Sequence, residues 1–231
     1  LAVGASYESS AATGINGNQA STGATGSGAA YVFTRSAAVW TQQAYVKASN
    51  TGNNDSFGRD IALSGNGDTL AVGAVSEASN ATGIDGNQAD NSQPNAGAVY
   101  VFSRSGTTWS QQAYVKSSSS FTFYYFSLPA LDTSGDILAV SSPGEETAPD
   151  GPGVARLYRR VAGTWSYQRT LRSNVRHVGD RFGASLAMSR DGSTLAVGAP
   201  QESSNAVGIN GDASNTTSTR SGAAYVLTDQ L

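Results

Sequence analysis

Four glutamates, Glu8, Glu77, Glu145 and Glu202, stand at one offset behind four copies of a short apolar string. Three of them are followed by almost the same loop: ATGINGNQA at 12–20, ATGIDGNQA at 81–89 and AVGINGDAS at 206–214. Side-chain oxygens at this density suit two chemistries. On a functional reading, Glu8, Asn16, Asn18, Glu77, Asp85, Asn87, Asp90, Glu202, Asn210 and Asp212 offer oxygens to Ca2+ or to a hydroxyl-rich ligand. On a structural reading, Ile15, Ile84 and Ile209 plug apolar gaps. Asn-Gly or Asp-Gly then makes a tight turn, and the side-chain amides cap backbone groups. Both readings stand at this point.

Catalytic chemistry has little material. Cysteine is absent, which removes disulfides, thiolate metal sites and cysteine nucleophiles. His177 is the one histidine, in a polar loop beside Arg176 and Asp180, and is expected to be solvated. GATGSG at 23–28 has the wrong glycine spacing for a dinucleotide fingerprint, and no GxSxG elbow occurs. FTFYYF at 121–126 is either an aromatic platform or, as such runs more often are, core. Asn54, Asn80 and Asn215 begin matches to the glycosylation acceptor pattern, some of which arise by chance in a chain rich in Ser, Thr and Asn.

The composition restricts the class further. The 231 residues carry 13% charged residues, 39% hydrophobic residues, 27 glycines and a single Met. That is too apolar and aromatic for a disordered chain, and too poor in helix formers for a bundle. A net charge of −3 argues against nucleic acid as a partner, and no apolar run reaches the length of a membrane span.

What must position the loops is a repeat. The strings LAVGA, LAVGA, LAVSS and LAVGA start at residues 1, 70, 138 and 195, which are 69, 68 and 57 residues apart. Three more blocks keep the same order: GAAYVF and its variants from 28, 97, 153 and 222; a Trp strand ending at Lys47, Lys116 and Arg172; and DSFG or DRFG from 55 and 180. Each reads as a strand, and Asn66-Gly67, Asp191-Gly192, Ser105-Gly106 and Ala162-Gly163 read as hairpin turns. In the Trp block, Trp109, Gln111, Ala113 and Val115 alternate with Ser110, Gln112, Tyr114 and Lys116. One unit is therefore a four-stranded antiparallel meander, the signature of a β-propeller blade. Lys47, Lys116 and Arg172 are expected on the outer strand, discouraging edge pairing.

Phe57-Gly58 with Gly73-Ala74-Val75, and Phe182-Gly183 with Gly198-Ala199-Pro200, resemble FG-GAP repeats across essentially the whole chain. The resemblance implies the all-β propeller of integrin α subunits and many bacterial surface proteins. In the third repeat, Tyr125-Phe126 is read in place of Phe-Gly, and Ser141-Ser142-Pro143 in place of Gly-Ala-Pro. The family's calcium loop does not carry over to 64–69 or 189–194, which are too short and too poor in carboxylates; Asp132 and Asp136 come nearest.

Expected blades are a partial one at 1–47, a full one at 55–116, an irregular one at 120–172 and a partial one at 180–231, about three and a half in all. The chain is then a piece of a longer, seven-bladed propeller, or its open edges are completed by another chain. In this topology the loops at 6–27, 76–96, 143–152 and 200–221 crowd one face, joined by 48–56, 117–120 and 173–181. The expected function is a non-catalytic extracellular or cell-surface binding and adhesion module, presenting that face to a protein or glycan. The alternative is a structural subunit that self-associates through open blade edges.

Overall fold

The computed structural model describes residues 1–119, 124–146 and 151–228. These residues form fourteen strands and no helix. The first sheet holds β1 (Ala2–Ala5), β2 (Ala29–Ser36) and β3 (Val39–Val46). The second holds β4 (Phe57–Leu63), β5 (Thr69–Ala74), β6 (Ala98–Ser105) and β7 (Thr108–Val115). In the third are β8 (Leu128–Leu131), β9 (Ile137–Ser142), β10 (Val154–Val161) and β11 (Thr164–Leu171). The fourth has β12 (Ser185–Met188), β13 (Thr194–Ala199) and β14 (Ala223–Thr228). Within each sheet the strands lie in chain order and pair antiparallel. Four meanders result, each a blade of a partial β-propeller. Gly67 (φ 76°) and Gly192 (φ 74°) take the left-handed turn conformation between inner and second strands.

The core lies between blades rather than within them. One cluster joins Val32 and Val46 of the first blade to Phe57, Tyr100 and Trp109 of the second. A second joins Val99 and Val115 to Phe126, Val140 and Trp165, and a third joins Leu157 to Phe182 and Val197. The inner strands β4, β8 and β12 touch in succession, and β1 packs on β4. Position in this array sets burial more than sequence does. TLAVGA is wholly buried as β5, between two neighbours, but only alternately buried as β13 in the last blade.

Phe57, Phe126 and Phe182 are fully buried, and each anchors its blade to the one before. Their backbone N–H groups donate to Ser27 O (2.9 Å), Ala96 O (3.1 Å) and Pro152 O (2.8 Å) of the preceding blade. This corrects the expected register of the third repeat. Phe126-Ser127, not Tyr125-Phe126, occupies the Phe-Gly position. The shift has a steric basis: a Cβ on Gly4 would lie 1.9 Å from Gly58 O, and one on Gly73 would lie 2.1 Å from Ser127 O. Across the interfaces the facing pairs are Gly4 with Gly58, Gly73 with Ser127, and Ser141 with Gly183. Each pair keeps a glycine, so the serines of the third repeat are accommodated. Of the aromatic run, Phe126 is core and Tyr124 is buried, while residues 121–123 lie outside the described residues.

The outer strands do not alternate as the sequence suggests. A register shift falls between Val32 and Phe33, between Val101 and Phe102, and between Leu157 and Tyr158. Opposite these steps Gln43, Gln112 and Gln168 are left unpaired, each the extra residue of a β-bulge. In the first two blades the bulge turns the glutamine toward the next blade, whereas Gln168 bonds Ser166 of its own strand. Gln43 Oε1 accepts from Trp109 Nε1 (2.9 Å), and Gln112 Oε1 accepts from Trp165 Nε1 (3.0 Å) and Arg160 Nη1 (2.9 Å). The guanidinium groups of Arg104 and Arg160 lie over the rings of Trp109 and Trp165 at 5.8 and 5.3 Å.

Candidate functional site

Beyond its bulge the outer strand re-enters the blade, which corrects the expected role of its terminal lysine. Lys47 and Lys116 are 0% and 2% exposed, so neither guards a solvent edge. Lys116 Nζ donates to Glu77 Oε2 at 2.7 Å, and Lys47 Nζ donates to Glu8 Oε2 at 2.9 Å, to Ser27 Oγ and to Gly28 O. In the third blade Arg156 of β10 forms the pair with Glu145 through both guanidinium nitrogens. Arg172 instead turns outward to Glu146 at 2.6 Å. Glu8, Glu77 and Glu145 are thus drawn under their loops, where each ties its loop to its own blade, while Glu202 is held by Ser204 N and Oγ within its loop. Glu77 is 0% exposed and Glu202 2% exposed, which places both carboxylates away from any surface partner.

Asp55 and Asn50 complete this buried polar layer between the first and second blades. Asn50 Nδ2 donates to Glu77 Oε1 (3.2 Å) and Gln88 O (2.9 Å), and Tyr100 donates to Asn50 Oδ1. Burial, reinforced by the Glu77 charge, pushes the Asp55 carboxyl up to about 6. Burial likewise lowers the Lys116 ammonium, although Glu77 opposes it.

The remaining loop candidates divide by what their oxygens already hold. Asn16 Oδ1 accepts from Tyr45 N (2.9 Å) and Asp85 Oδ1 from Tyr114 N (2.8 Å), fastening Ile15 beside Val46 and Ile84 beside Val115. Asn18 and Asn87 each close a turn, accepting from Ala20 N and Ala89 N at 3.0 Å. Asp90 accepts from Asn80 N, Ser92 N and Ser92 Oγ, and those bonds hold its carboxyl below the usual range. Asp212 accepts from Ser214 N and is lowered for the same reason. Asn210 is exposed and carries the same φ of 56° as Asn16 and Asp85. Asn18, Asn87, Asp212 and Asn210 all face solvent.

Calcium does not fit the hairpin turns. Asp132 Oδ1 is occupied by Asp136 N and Ile137 N, and Asp136 by the Arg160 guanidinium at 2.7 Å. Asp68 holds Arg104 at 2.8 Å, and the Asp191 carboxylate is filled by Ser189 and Ser193. Among the described residues no three His, Asp or Glu side chains converge as metal ligands. His177 is half-buried, with its backbone N–H on Asp180 Oδ2 at 2.8 Å.

The loops meet on one face. Gly14 N donates to Ala48 O (3.3 Å), and Thr51 Oγ1 donates to Ala12 O (2.8 Å) within the first blade's loops. Asn50 and Ser49 bond Gln88 of the second blade's loop. Where the inner strands begin on this face, a cavity of about 490 Å³ opens among the second, third and fourth blades. Arg59, Asp60, Tyr125, Ser127, Pro143 and Arg181 line it. Arg59 makes no ion pair among the described residues, and Asp60 accepts from Ser127 Oγ at 2.9 Å. Ser56 (58°), Tyr125 (54°) and Arg181 (57°) all hold positive φ in the residue that precedes the buried phenylalanine. Sequence reasoning missed this cavity, since nothing in the one-dimensional pattern brings residues 59, 125 and 181 together. The ion pairs were signalled, because an acid and a base recur at fixed places in the same repeats.

Anchored inner phenylalanines, glycine-lined interfaces and four-strand meanders define a β-propeller built from one recurring blade. A family model for the FG-GAP repeat matches residues 40–102 and 165–227, more than half of the sequence, and the chain belongs to that family. A search of curated proteins finds no match.

Proposed function

We propose that the chain is a non-catalytic binding module, extracellular or on the cell surface, that presents its loop face to a protein or glycan partner. The cavity at the head of the inner strands carries this reading. It sits on the face where the loops gather, is bounded by rigid strand ends, and has two arginines at its rim. Arg59, which makes no ion pair among the described residues, favours a partner group that bears a carboxylate or sulfate. The exposed amides of Asn18 and Asn87 flank the same face as further hydrogen-bonding groups for a polar surface. The buried glutamates contribute rigidity and no contact. Arrays of neutral and acidic oligosaccharides and of acidic peptides, probed with the wild-type chain and with R59A/R181A, test this. Capture of acidic probes is expected to fall at least tenfold in the double variant while its melting temperature holds. Equal capture by both proteins, or selection of neutral probes alone, overturns the assignment.

A further inference from the structure

At the junction of the first two blades a lysine, a carboxylate, a primary amide and a phenol stand in one chain of contacts. Glu77 bridges the amine and the amide: its Oε2 accepts from Lys116 Nζ at 2.7 Å, and its Oε1 accepts from Asn50 Nδ2 at 3.2 Å. The amide oxygen has a separate partner, since Asn50 Oδ1 accepts from the Tyr100 hydroxyl. Gln88 O also accepts from Asn50 Nδ2, at 2.9 Å, and so holds the amide in place. Lys116, Glu77 and Tyr100 are buried and Asn50 is half-buried, which leaves little water to compete for an acyl carbon. Asn50 lies between β3 and β4, and Lys116 directly follows β7, so the pair stands at the entry and the exit of the second blade.

The buried pairs of the first and third blades each lack a member of this set. Glu8 accepts from Lys47 Nζ and from Ser10 N, and the other partners of that lysine are Ser27 Oγ and Gly28 O, with no side-chain amide. In the third blade the cation is Arg156, whose delocalised guanidinium is no nucleophile, and a hydroxyl, Ser117 Oγ, meets Glu145. An arginine therefore serves the ion pair as well as a lysine does. What the second blade adds is a primary amine and a carboxamide on one carboxylate. Burial lowers the Lys116 ammonium, although Glu77 opposes it, and a desolvated amine is the nucleophilic form. Burial raises the Tyr100 hydroxyl well above its usual value, which keeps it a proton donor.

We infer that Lys116 and Asn50 join spontaneously in an amide bond from Nζ to Cγ, with Glu77 moving the protons and Tyr100 stabilising the oxygen. Lys116 Nζ first passes a proton to Glu77. The lone pair of the neutral amine adds to Asn50 Cγ, and the negative charge that develops on Oδ1 is met by the Tyr100 O–H. Glu77 then protonates Nδ2 and takes a second proton from Nζ. The Cγ–Nδ2 bond breaks, ammonia leaves and the Nζ–Cγ bond remains. Of the three ammonium protons, one stays on the new amide, one leaves on the ammonia and one rests on Glu77. The buried layer thus exchanges an ion pair for neutral groups. The bond closes β4 to β7 in a covalent ring, so that tension along the chain bypasses the second blade. It forms once per chain, without turnover, and is independent of whatever the loop face binds. Chains that have not reacted keep the ion pair, and the stability of that pair is a property of this form alone.

The mass of the intact wild-type chain, followed with time after folding at neutral pH, is the test. A loss of one ammonia, about 17 Da, is expected. Tryptic digestion should yield the fragment 48–59 joined to the fragment that holds Lys116, with no cleavage after that lysine. K116R keeps a cation for Glu77 but no nucleophile, and should hold its full mass. E77Q keeps an acceptor for Asn50 but cannot move protons, and should slow the bond about a hundredfold. A wild-type chain that keeps its full mass after prolonged incubation overturns the proposal, and this reading needs no variant to fold. A loss that persists in K116R marks ring closure at an asparagine instead, and a loss of about 18 Da marks a bond to a carboxyl group; either also overturns it. E77Q reacting at the wild-type rate removes Glu77 from the mechanism and overturns the assignment as stated.

Discussion

Removing the Lys116 ammonium is the sharpest perturbation of the buried layer. The pair is 2.7 Å apart with side chains 2% and 0% exposed, and Asp55 lies close enough for Glu77 to raise its pKa. At an effective dielectric of about 20, the attraction at this separation is roughly 6 kcal/mol. Desolvating two ions costs several kcal/mol, so the intact pair contributes little net stability. Breaking it is a different matter. K116M leaves Glu77 charged, desolvated and beside a second acid, and is expected to lose about 3–5 kcal/mol at pH 7.5. The loss should shrink at pH 5, below the raised pKa of Asp55, where that second acid holds a proton. E77Q/K116M keeps an acceptor for Asn50 and removes both charges, so it should return to within about 1–2 kcal/mol of wild type. Urea denaturation of the three proteins at both pH values measures this. D68N is the control, since the Arg104–Asp68 pair is 22% and 51% exposed and should cost less than about 1 kcal/mol. A K116M loss below about 1 kcal/mol, or a double variant no better than the single, refutes the reasoning.

Two further outcomes are expected. Asp55 has a folded-state pKa of about 6, raised from 3.8, so the folded chain holds a proton there that the unfolded chain releases between those values. Its contribution therefore falls as pH rises through that window, and D55N should gain about 2 kcal/mol on wild type between pH 4 and 7.5; parallel pH–stability curves would rule this out. Q112L strips Trp165 Nε1 and Arg160 Nη1 of their shared acceptor and should cost about 1–3 kcal/mol, with a shifted Trp165 indole N–H resonance. An unmoved resonance and unchanged denaturation midpoint would deny the bulge glutamine its role.

Much of the fold was legible because the repeat prints the same strands in the same order, and each hairpin carries its own turn residues. Legibility stopped where an interaction crosses between blades. Gln112 looks like one more polar position of an alternating strand, and only pairing with β6 reveals it as the bulge that meets Trp165. Lys116 at a strand end reads as an edge charge until the bulge reverses the faces beyond it. The third repeat sits one residue away from the expected register, because the aromatic run 121–126 offers several residues for the Phe position and Ser127 masks the glycine that would mark it. Which aromatic is buried is decided instead by the backbone bond from Phe126 to Ala96 and by the gap left at Gly73.

The internal uses of the loops bear on what remains for a partner. In the first and second blades Glu, Ile and the Asn or Asp after it each grip the end of the outer strand: an ion pair, an apolar contact and a backbone cap. Repetition at those positions is accounted for without any ligand, and the amides beyond them are the part left to face outward. The third blade lacks this long loop altogether, with residues 143–152 where the second blade has 76–96. Its glutamate is met by Arg156 from β10, so the blade keeps its buried pair without the loop that covers it elsewhere. The cavity opens at that gap, against Pro143 and Gly144, with Tyr125 and Arg181 held in left-handed backbone at its rim. Non-glycine residues in that conformation persist only where the surrounding structure fixes them. Here the buried phenylalanine that follows each one supplies the constraint. The irregular blade is thus the one that exposes the head of the inner strands, and extending its loop to the length found in the second blade is the change most able to close the site.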